Sequence, residues 1–183
     1  GSFSFINMSD PQFYGSASAQ VWYDLMADAV SINKKVAFTL LNGDVVNSGN
    51  EGAEWNMFFA NQEISQMMVA SAAGNHEYYA GGTTTIDARF YNAHFNNPKN
   101  GASNVINSSY FFIYNNALFI VLDSQKTENG TWATQKVWFE EVVKAHPTQY
   151  IIVSSHVSVY GGANSSNADV FRRAWLSLFD KYG

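Results

Sequence analysis

The apolar positions of this chain fall in short runs that switch between a strand-like and a helix-like period. FSFINM (residues 3–8) is a brief apolar run closed by Ser9-Asp10-Pro11, a turn signal. Residues 16–33 then place Val21, Trp22, Leu25, Met26, Ala29 and Ile32 on one helical stripe. VAFTLLN (36–42) reads as a buried strand ending at Gly43-Asp44, and residues 51–68 as a helix with Trp55, Phe58 and Phe59 on one face. MVASAAG (68–74) is a weaker strand that runs out at Asn75.

After a Gly/Thr-rich stretch (81–85), the pattern predicts a short helix near 86–95 and a polar loop over 96–108. YFFIYNNALFIVLDS (110–124) reads as two strands joined by a tight turn at Asn115-Asn116. Residues 132–145 pair Trp138 with Val142 and Phe139 with Val143 at i,i+4, and His146-Pro147 ends that helix. YIIVSS (150–155) is a strand ending at His156. Ser166-Asn167-Ala168-Asp169 resembles a capping box opening a helix striped by Phe171, Trp175, Leu178 and Phe179. This alternation predicts an α/β fold with a largely parallel sheet, covering helices and an inserted hairpin. No repeat or linker divides the chain, so residues 1–183 are expected to form a single domain.

Composition narrows the picture. A chain of 183 residues that is 46% hydrophobic and 16% aromatic can build a core, which argues against disorder. None of its apolar runs approaches the roughly 20 residues of a membrane span, so no membrane partner is expected. A net charge of −5 with only ten Lys and Arg disfavours nucleic-acid binding through phosphate contacts. With no Cys, a disulfide framework and a thiolate metal site are impossible, and any metal must be held by Asp, Glu, His, Asn or Gln. Absent Cys fits an exported protein, and an extracellular or cell-envelope location is the expectation, although no signal-peptide pattern opens the chain. Sequons stand at Asn107 and Asn129.

Four predicted strands end on a residue able to bind a metal: Asp10, Asp44, Asn75 and His156. Ligands in open α/β sheets bind beyond the carboxyl ends of the strands, so these residues could meet at one sheet edge. Oxygen ligands plus an imidazole suit Mn, Zn or Fe. A carboxylate such as Asp44 could bridge two ions, which together generate a hydroxide able to attack a phosphorus in line. Each residue also has a plainer reading. Asp10 before Pro11 and Asp44 after Gly43 are common turn residues, Asn75 tolerates a left-handed turn, and His156 could be a hydrogen-bonded core histidine. His76 follows Asn75 and could act as general acid or oxyanion donor. Glu77 could orient that imidazole or cap the next segment. Asp123 ends another strand, as support for the site or as a turn residue. His94 and His146 read as surface residues.

The ordered set SDPQ (9–12), NGDVVNSG (42–49), AGNHE (73–77) and SSHVSVYGG (154–162) resembles the calcineurin-like metallophosphoesterase superfamily. Within it, the chain is most similar to bacterial phosphatases related to purple acid phosphatases. The family pattern runs Asp-x-His, Gly-Asp-x-x-(Asp/Asn/Tyr), Gly-Asn-His-(Asp/Glu), a lone His, then Gly-His-x-His. The match covers nearly the whole chain, with 34 and 31 residues between the first three ligand positions. It implies a four-layer α/β/β/α sandwich of two mixed sheets and a dinuclear site for two transition-metal ions, Mn, Zn or Fe. It also implies that Asp10 binds the first metal, Asp44 bridges, Asn75 and His156 bind the second, and His76 assists the leaving group. The implied activity is hydrolysis of a small phosphorylated substrate, monoester or diester, by a metal-activated hydroxide.

The chain departs from that pattern at several points. Gln12 stands where the family carries the second His of its first motif, and an amide oxygen is a neutral, harder and weaker ligand than imidazole. Asn47 replaces the Tyr that colours the ferric ion of purple acid phosphatases, and Ser158 replaces a frequent Pro. The chain ends at LFDKYG (178–183) without any Gly-His-x-His. The resemblance therefore implies a domain incomplete at its C-terminus, with weak metal loading, reduced activity and an exposed sheet edge through which chains could oligomerise. The alternative function is a catalytically silent domain that keeps this fold for binding or architecture. Specificity would lie in loops 79–85, 96–108 and 160–167, where Tyr78, Tyr79 and Tyr160 could stack on a base or sugar.

Overall fold

The computed structural model describes residues 1–81, 84–85, 87–125, 131–160 and 165–182. The chain forms two compact units, Gly1–Asn96 and Asn97–Gly183.

In the first unit, β1 (Ser4–Met8), α1 (Ser16–Ile32) and β2 (Val36–Leu41) form a parallel βαβ unit. The chain continues through α2 (Gly52–Phe59) and α3 (Gln62–Ser65) to β3 (Val69–Ser71). The sheet order is β1-β2-β3, all parallel, with Met8 beside Leu41 and Leu41 beside Ser71. The carboxyl ends of the three strands are therefore level, and the segments carrying Asp10, Asp44 and Asn75 leave the sheet on the same side. A parallel bridge from Phe13 to Val46 ties the first two of those segments together beyond the strands. A single 3-10 turn (His76–Tyr78) follows β3, then β4 (Tyr79–Ala80), its antiparallel partner β5 (Thr84–Thr85) and α4 (Arg89–His94). The core packs Phe13, Trp22, Met26, Phe58 and Tyr91, with the Trp22 and Phe58 rings stacked 5.9 Å apart.

Two helices differ from the pattern. On α1 the buried line is Ala19, Trp22 and Met26, whereas Val21, Leu25 and Ile32 are exposed. The apolar positions of this helix occupy two faces, and the bulky Trp22 selects the one that meets Phe13 and Phe58. The helix expected over 51–68 is broken after Ala60. Asn61, fully buried and extended, accepts a hydrogen bond from the Ile64 N–H (2.9 Å) and starts a new turn, the usual competition of an Asn side chain with a helix interior. The break leaves Phe59 half exposed while Trp55 and Phe58 stay buried.

In the second unit, β6 (Tyr110–Tyr114) and β7 (Ala117–Val121) form a two-residue hairpin with Asn115 at φ 50°. That left-handed value is one Asn tolerates, which explains the turn. Helix α5 (Thr131–Ala145) crosses over to β8 (Tyr150–Ser154), parallel to β7, and α6 (Ser165–Tyr182) follows. β7 is central and buried along its whole length. Trp138, Phe139, Val142 and Val143 of α5 and Phe171 and Trp175 of α6 complete this core, as their spacing predicts. α6 begins at Ser165, so Ser166 lies inside the first turn and Asp169 pairs with Arg172 instead of closing a capping box.

The protein is thus α/β with two main sheets and helices, the class expected for a metallophosphoesterase. Among the described strands the first sheet is wholly parallel and the second mixed, because only the second receives a hairpin. Among the described residues, no helix is long and apolar enough to cross a membrane.

Candidate metal centre

Gly74 permits a close approach between two segments of the first unit. A Cβ there would lie 2.1 Å from Asp44 Oδ1 and 2.5 Å from the Asp44 backbone nitrogen. Only glycine lets the segment after β3 come this near the segment after β2. Asp44 is 3% exposed and holds φ at 53°, a left-handed value made tolerable by the surrounding hydrogen bonds. Its Oδ1 accepts from the His76 N–H (2.9 Å), and its Oδ2 accepts from Gln12 Nε2 (2.9 Å).

Glu77 organises both segments. This fully buried carboxylate accepts from the N–H groups of Gly74 (2.6 Å) and Asp44 (2.8 Å) on Oε2, and from Val45 (2.8 Å) and Val46 (3.3 Å) on Oε1. It neither orients His76 nor caps a following element. Burial, followed by the nearby charge of Asp44, pushes its carboxyl up to about 7, against the pull of the backbone donors toward the ionised form.

Asp10 and Gln12 leave β1 on a strained path, with φ of 59° and 32°. The Asp10 N–H donates to the Gly43 carbonyl (3.1 Å) and the Gln12 N–H to the Asp44 carbonyl (3.2 Å), which locks this segment on its neighbour. Exposed Asp10 accepts from the Ser9 hydroxyl, and its carboxylate has an oxygen within 4.8 Å of one on Asp44. Among the described residues, three of the four non-glycine positions with positive φ are Asp10, Gln12 and Asp44, so backbone strain concentrates where these carboxylates meet.

His76 is oriented by a backbone group. Its Nδ1 lies 2.7 Å from the Asn47 carbonyl, which can only accept, so the Nδ1 proton is fixed there. Nε2 lies 4.0 Å from Asp44 Oδ2. The Asn47 segment is held in turn by Glu54, which accepts from the N–H groups of Asn47 (2.7 Å) and Ser48 (2.8 Å). The Tyr79 ring meets the His76 imidazole edge-on at 5.1 Å.

The structure thus brings Asp10, Gln12, Asp44 and His76 into one hydrogen-bonded neighbourhood of the first unit, with Asn75 at the start of the turn that presents His76. His156 belongs to the second unit, half-buried in the bend after β8, where the next residue's N–H donates to Ser124 Oγ (3.0 Å). Asp123 is a scaffold residue of that unit. It is fully buried, accepts from Ser108 Oγ (2.5 Å), and its backbone is paired both ways by the Gln135 amide. His94 is exposed and stacks on Trp55 at 4.4 Å; half-buried His146 packs on Phe111. Tyr78 is buried, while exposed Tyr160 lies under the Arg172 guanidinium. Parts of the predicted specificity loops (82–83 and 161–164) and Asn129 lie outside the described residues.

Sequence reasoning missed the scaffold: Glu77 as a four-donor acceptor, Glu54, and the carbonyl that orients His76. The one available signal was Glu in the first turn of α2, a position that favours acids for the helix dipole alone.

Two carboxylates this close repel unless a cation or a proton intervenes. With the Gln12 amide beside them, they offer an oxygen-rich donor set that fits a divalent metal ion. The fold has relatives of known structure. A purple acid phosphatase from yellow lupin (Lupinus luteus) seeds superposes with a TM-score of 0.63 at 16% identity, over 88% of this chain and 31% of that one. The anchor in the inner membrane complex of Plasmodium superposes with a TM-score of 0.61 at 15% identity, over 98% of this chain and 62% of that one. The chain therefore spans about a third of the phosphatase and under two thirds of the anchor. Identities this low establish the shared fold alone. No curated protein matches the sequence. The sequence itself agrees with one family pattern over residues 3–182, almost end to end, and by that match the chain belongs to the calcineurin-like phosphoesterases.

Proposed function

We propose that this chain is a single metallophosphoesterase domain that hydrolyses esters of small phosphorylated molecules, using two Mn, Zn or Fe ions. The reading rests on one observation above all: Asp44, buried and strained, is held by donors on both carboxylate oxygens within reach of Asp10, in a chain that belongs to this family. Asp10, Gln12 and Asp44 are assigned to a first metal, and Asp44, Asn75 and His156 to a second. When bound, such ions neutralise phosphate oxygens and activate a water for in-line attack.

The chain's own residues then have distinct tasks. Glu77 and Gly74 keep the Asp44 and Asn75 segments in register. Gln12 and the His76 N–H hold Asp44 in one rotamer. His76, with its Nδ1 proton on the Asn47 carbonyl, turns Nε2 to the leaving-group oxygen and, as the imidazolium, donates a hydrogen bond or a proton there. The sequence contains no Gly-His-x-His, so the ligands supplied by these 183 residues are few and turnover is expected to be low. An extracellular or cell-envelope setting belongs to the same proposal, as does oligomer formation through a sheet edge.

A chromogenic phosphate ester tests the reading, with Mn²⁺, Zn²⁺ or Fe added and Asn75→Ala as control. Metal-dependent hydrolysis that falls with the substitution supports it, and turnover indifferent to Asn75 overturns the metal assignment. A second reading, a silent domain with an architectural role, draws on the Plasmodium anchor of the same fold and on Gln12 at the imidazole position. It would gain if metal bound without any hydrolysis.

A further inference from the structure

We propose that the exposed face of α1 docks an amphipathic helix with basic flanks, carried by a partner protein. Helix α1 is apolar on two faces, and the core takes only the one that carries Ala19, Trp22 and Met26. The other is a stripe of Ala17, Val21, Leu25, Asp28 and Ile32, whose steps of three and four residues keep them in one narrow sector of the helix. Val21, Leu25 and Ile32 on this stripe are 67%, 50% and 86% exposed. Single apolar residues on a surface are ordinary, whereas three in line over about three turns make a continuous ridge. Such a ridge fits the groove of a second helix, whose own i, i+3, i+4 and i+7 positions supply the complementary side chains.

Charge selects the partner. Both charged residues of α1 are acidic: Asp28 lies in the stripe, and Asp24 beside it accepts from Gln20 Nε2 (2.9 Å). Lys34 and Lys35 come only after the last turn of the helix. The surrounding unit, residues 1–96, carries nine Asp and Glu against three Lys and Arg, so a second copy would bring a like-charged unit against this face. An anionic lipid surface is disfavoured too, because helices that lie on membranes carry Lys and Arg around their apolar face. A helix with Leu or Ile on one side and Lys or Arg flanking them satisfies both features. Its apolar side covers Val21, Leu25 and Ile32, and its cations reach Asp24 and Asp28. Exposed ion pairs of this kind add little affinity, but they decide which partner is accepted. The proposal is independent of the metal-dependent reading, since Asp10, Asp44 and His76 all lie outside α1.

The test is fluorescence anisotropy of a labelled synthetic helical peptide long enough to span α1, about 20 residues, with a Leu face flanked by Lys. Its twin carries Glu in place of Lys. Wild type, Leu25→Ser, Ile32→Ser and Asp28→Asn are compared after circular dichroism has shown each to be folded. Val170→Ser, at a half-exposed apolar position of α6, is the control. The Lys peptide should bind wild type and Val170→Ser alike, and less tightly as salt is raised. Leu25→Ser and Ile32→Ser should each weaken it by about 10-fold or more, as for a buried apolar anchor. Asp28→Asn should weaken it by a few-fold, and the Glu peptide should bind at least about 10-fold less tightly than the Lys peptide. No binding of the Lys peptide, binding indifferent to Leu25→Ser and Ile32→Ser, or equal binding of the two peptides overturns the inference. Sedimentation velocity, and co-sedimentation with vesicles of phosphatidylcholine and phosphatidylglycerol, examine the other occupants. A dimer or a vesicle complex that is lost in Leu25→Ser gives the face to a second copy or to lipid, and overturns the inference as well.

Discussion

Replacing Gly74 by Ala puts one methyl group into the tightest contact of the candidate site. The added carbon would sit 2.1 Å from Asp44 Oδ1, so reaching the 3.4 Å of ordinary contact requires about 1.3 Å of separation between the two segments. Asp44 cannot yield freely, because its N–H is bonded to Glu77 at 2.8 Å and its Oδ1 to the His76 N–H at 2.9 Å. Stretching either by that amount takes it beyond hydrogen-bonding range. Two bonds to charged groups at about 1.5–3 kcal/mol each bound the loss near 3–6 kcal/mol, and partial relaxation brings the expectation to roughly 3 kcal/mol. For a chain of this length that lowers the melting temperature by roughly 6–12 °C. Urea and thermal unfolding of metal-free protein measure it, with Gly52→Ala as control, since a Cβ at Gly52 meets nothing within 4 Å. A Gly74→Ala protein that unfolds within about 1 kcal/mol of wild type and binds metal as well refutes the close-approach argument.

Three further outcomes are expected. Burial raises the Glu77 carboxyl to about 7 from an ordinary value of 4.5, so the native state holds its proton more tightly than the unfolded chain. Metal-free stability from this group is therefore full below about pH 4.5 and declines as pH rises to about 7, by roughly 3 kcal/mol at ~1.4 kcal/mol per pH unit. Denaturant titrations from pH 4.5 to 8 on wild type and Glu77→Gln report it, and identical slopes in the two would count against the assignment. His76→Gln should lower kcat by roughly 10²–10⁴-fold while leaving Mn²⁺ affinity within a few-fold, because the proposed role of His76 is on the ester and not on the ion. Glu54→Ala frees two N–H donors beside His76 and should cost about 2–4 kcal/mol of stability and reduce kcat more than it changes KM.

Most elements are legible because burial imposes period on sequence. β2, β7, α5 and α6 each carry a dense apolar set, and each forms near the expected boundaries. The turn at Asn115-Asn116 is legible because a left-handed backbone needs such residues. Where two apolar faces compete, as on α1, periodicity alone cannot name the buried one; tertiary contact with Phe13 and Phe58 does. The break at Asn61 depends on a cap that looks like any polar residue in a helical pattern. At the candidate site, residues at strand ends stand out because parallel strands of matching register finish level. The backbone donors gathered by Glu77 leave no periodic trace, since they come from segments about thirty residues apart.

The most direct test of the central claim is hydrolysis of an aryl phosphate ester by protein dialysed against a chelator and then titrated with Mn²⁺, for wild type and Asp44→Ala side by side. The expected result is a wild-type rate that rises from background and saturates with added metal, while Asp44→Ala stays at the chelated level throughout. Hydrolysis that survives chelation, or that responds to Mn²⁺ equally in Asp44→Ala, contradicts a phosphoesterase site built on Asp44.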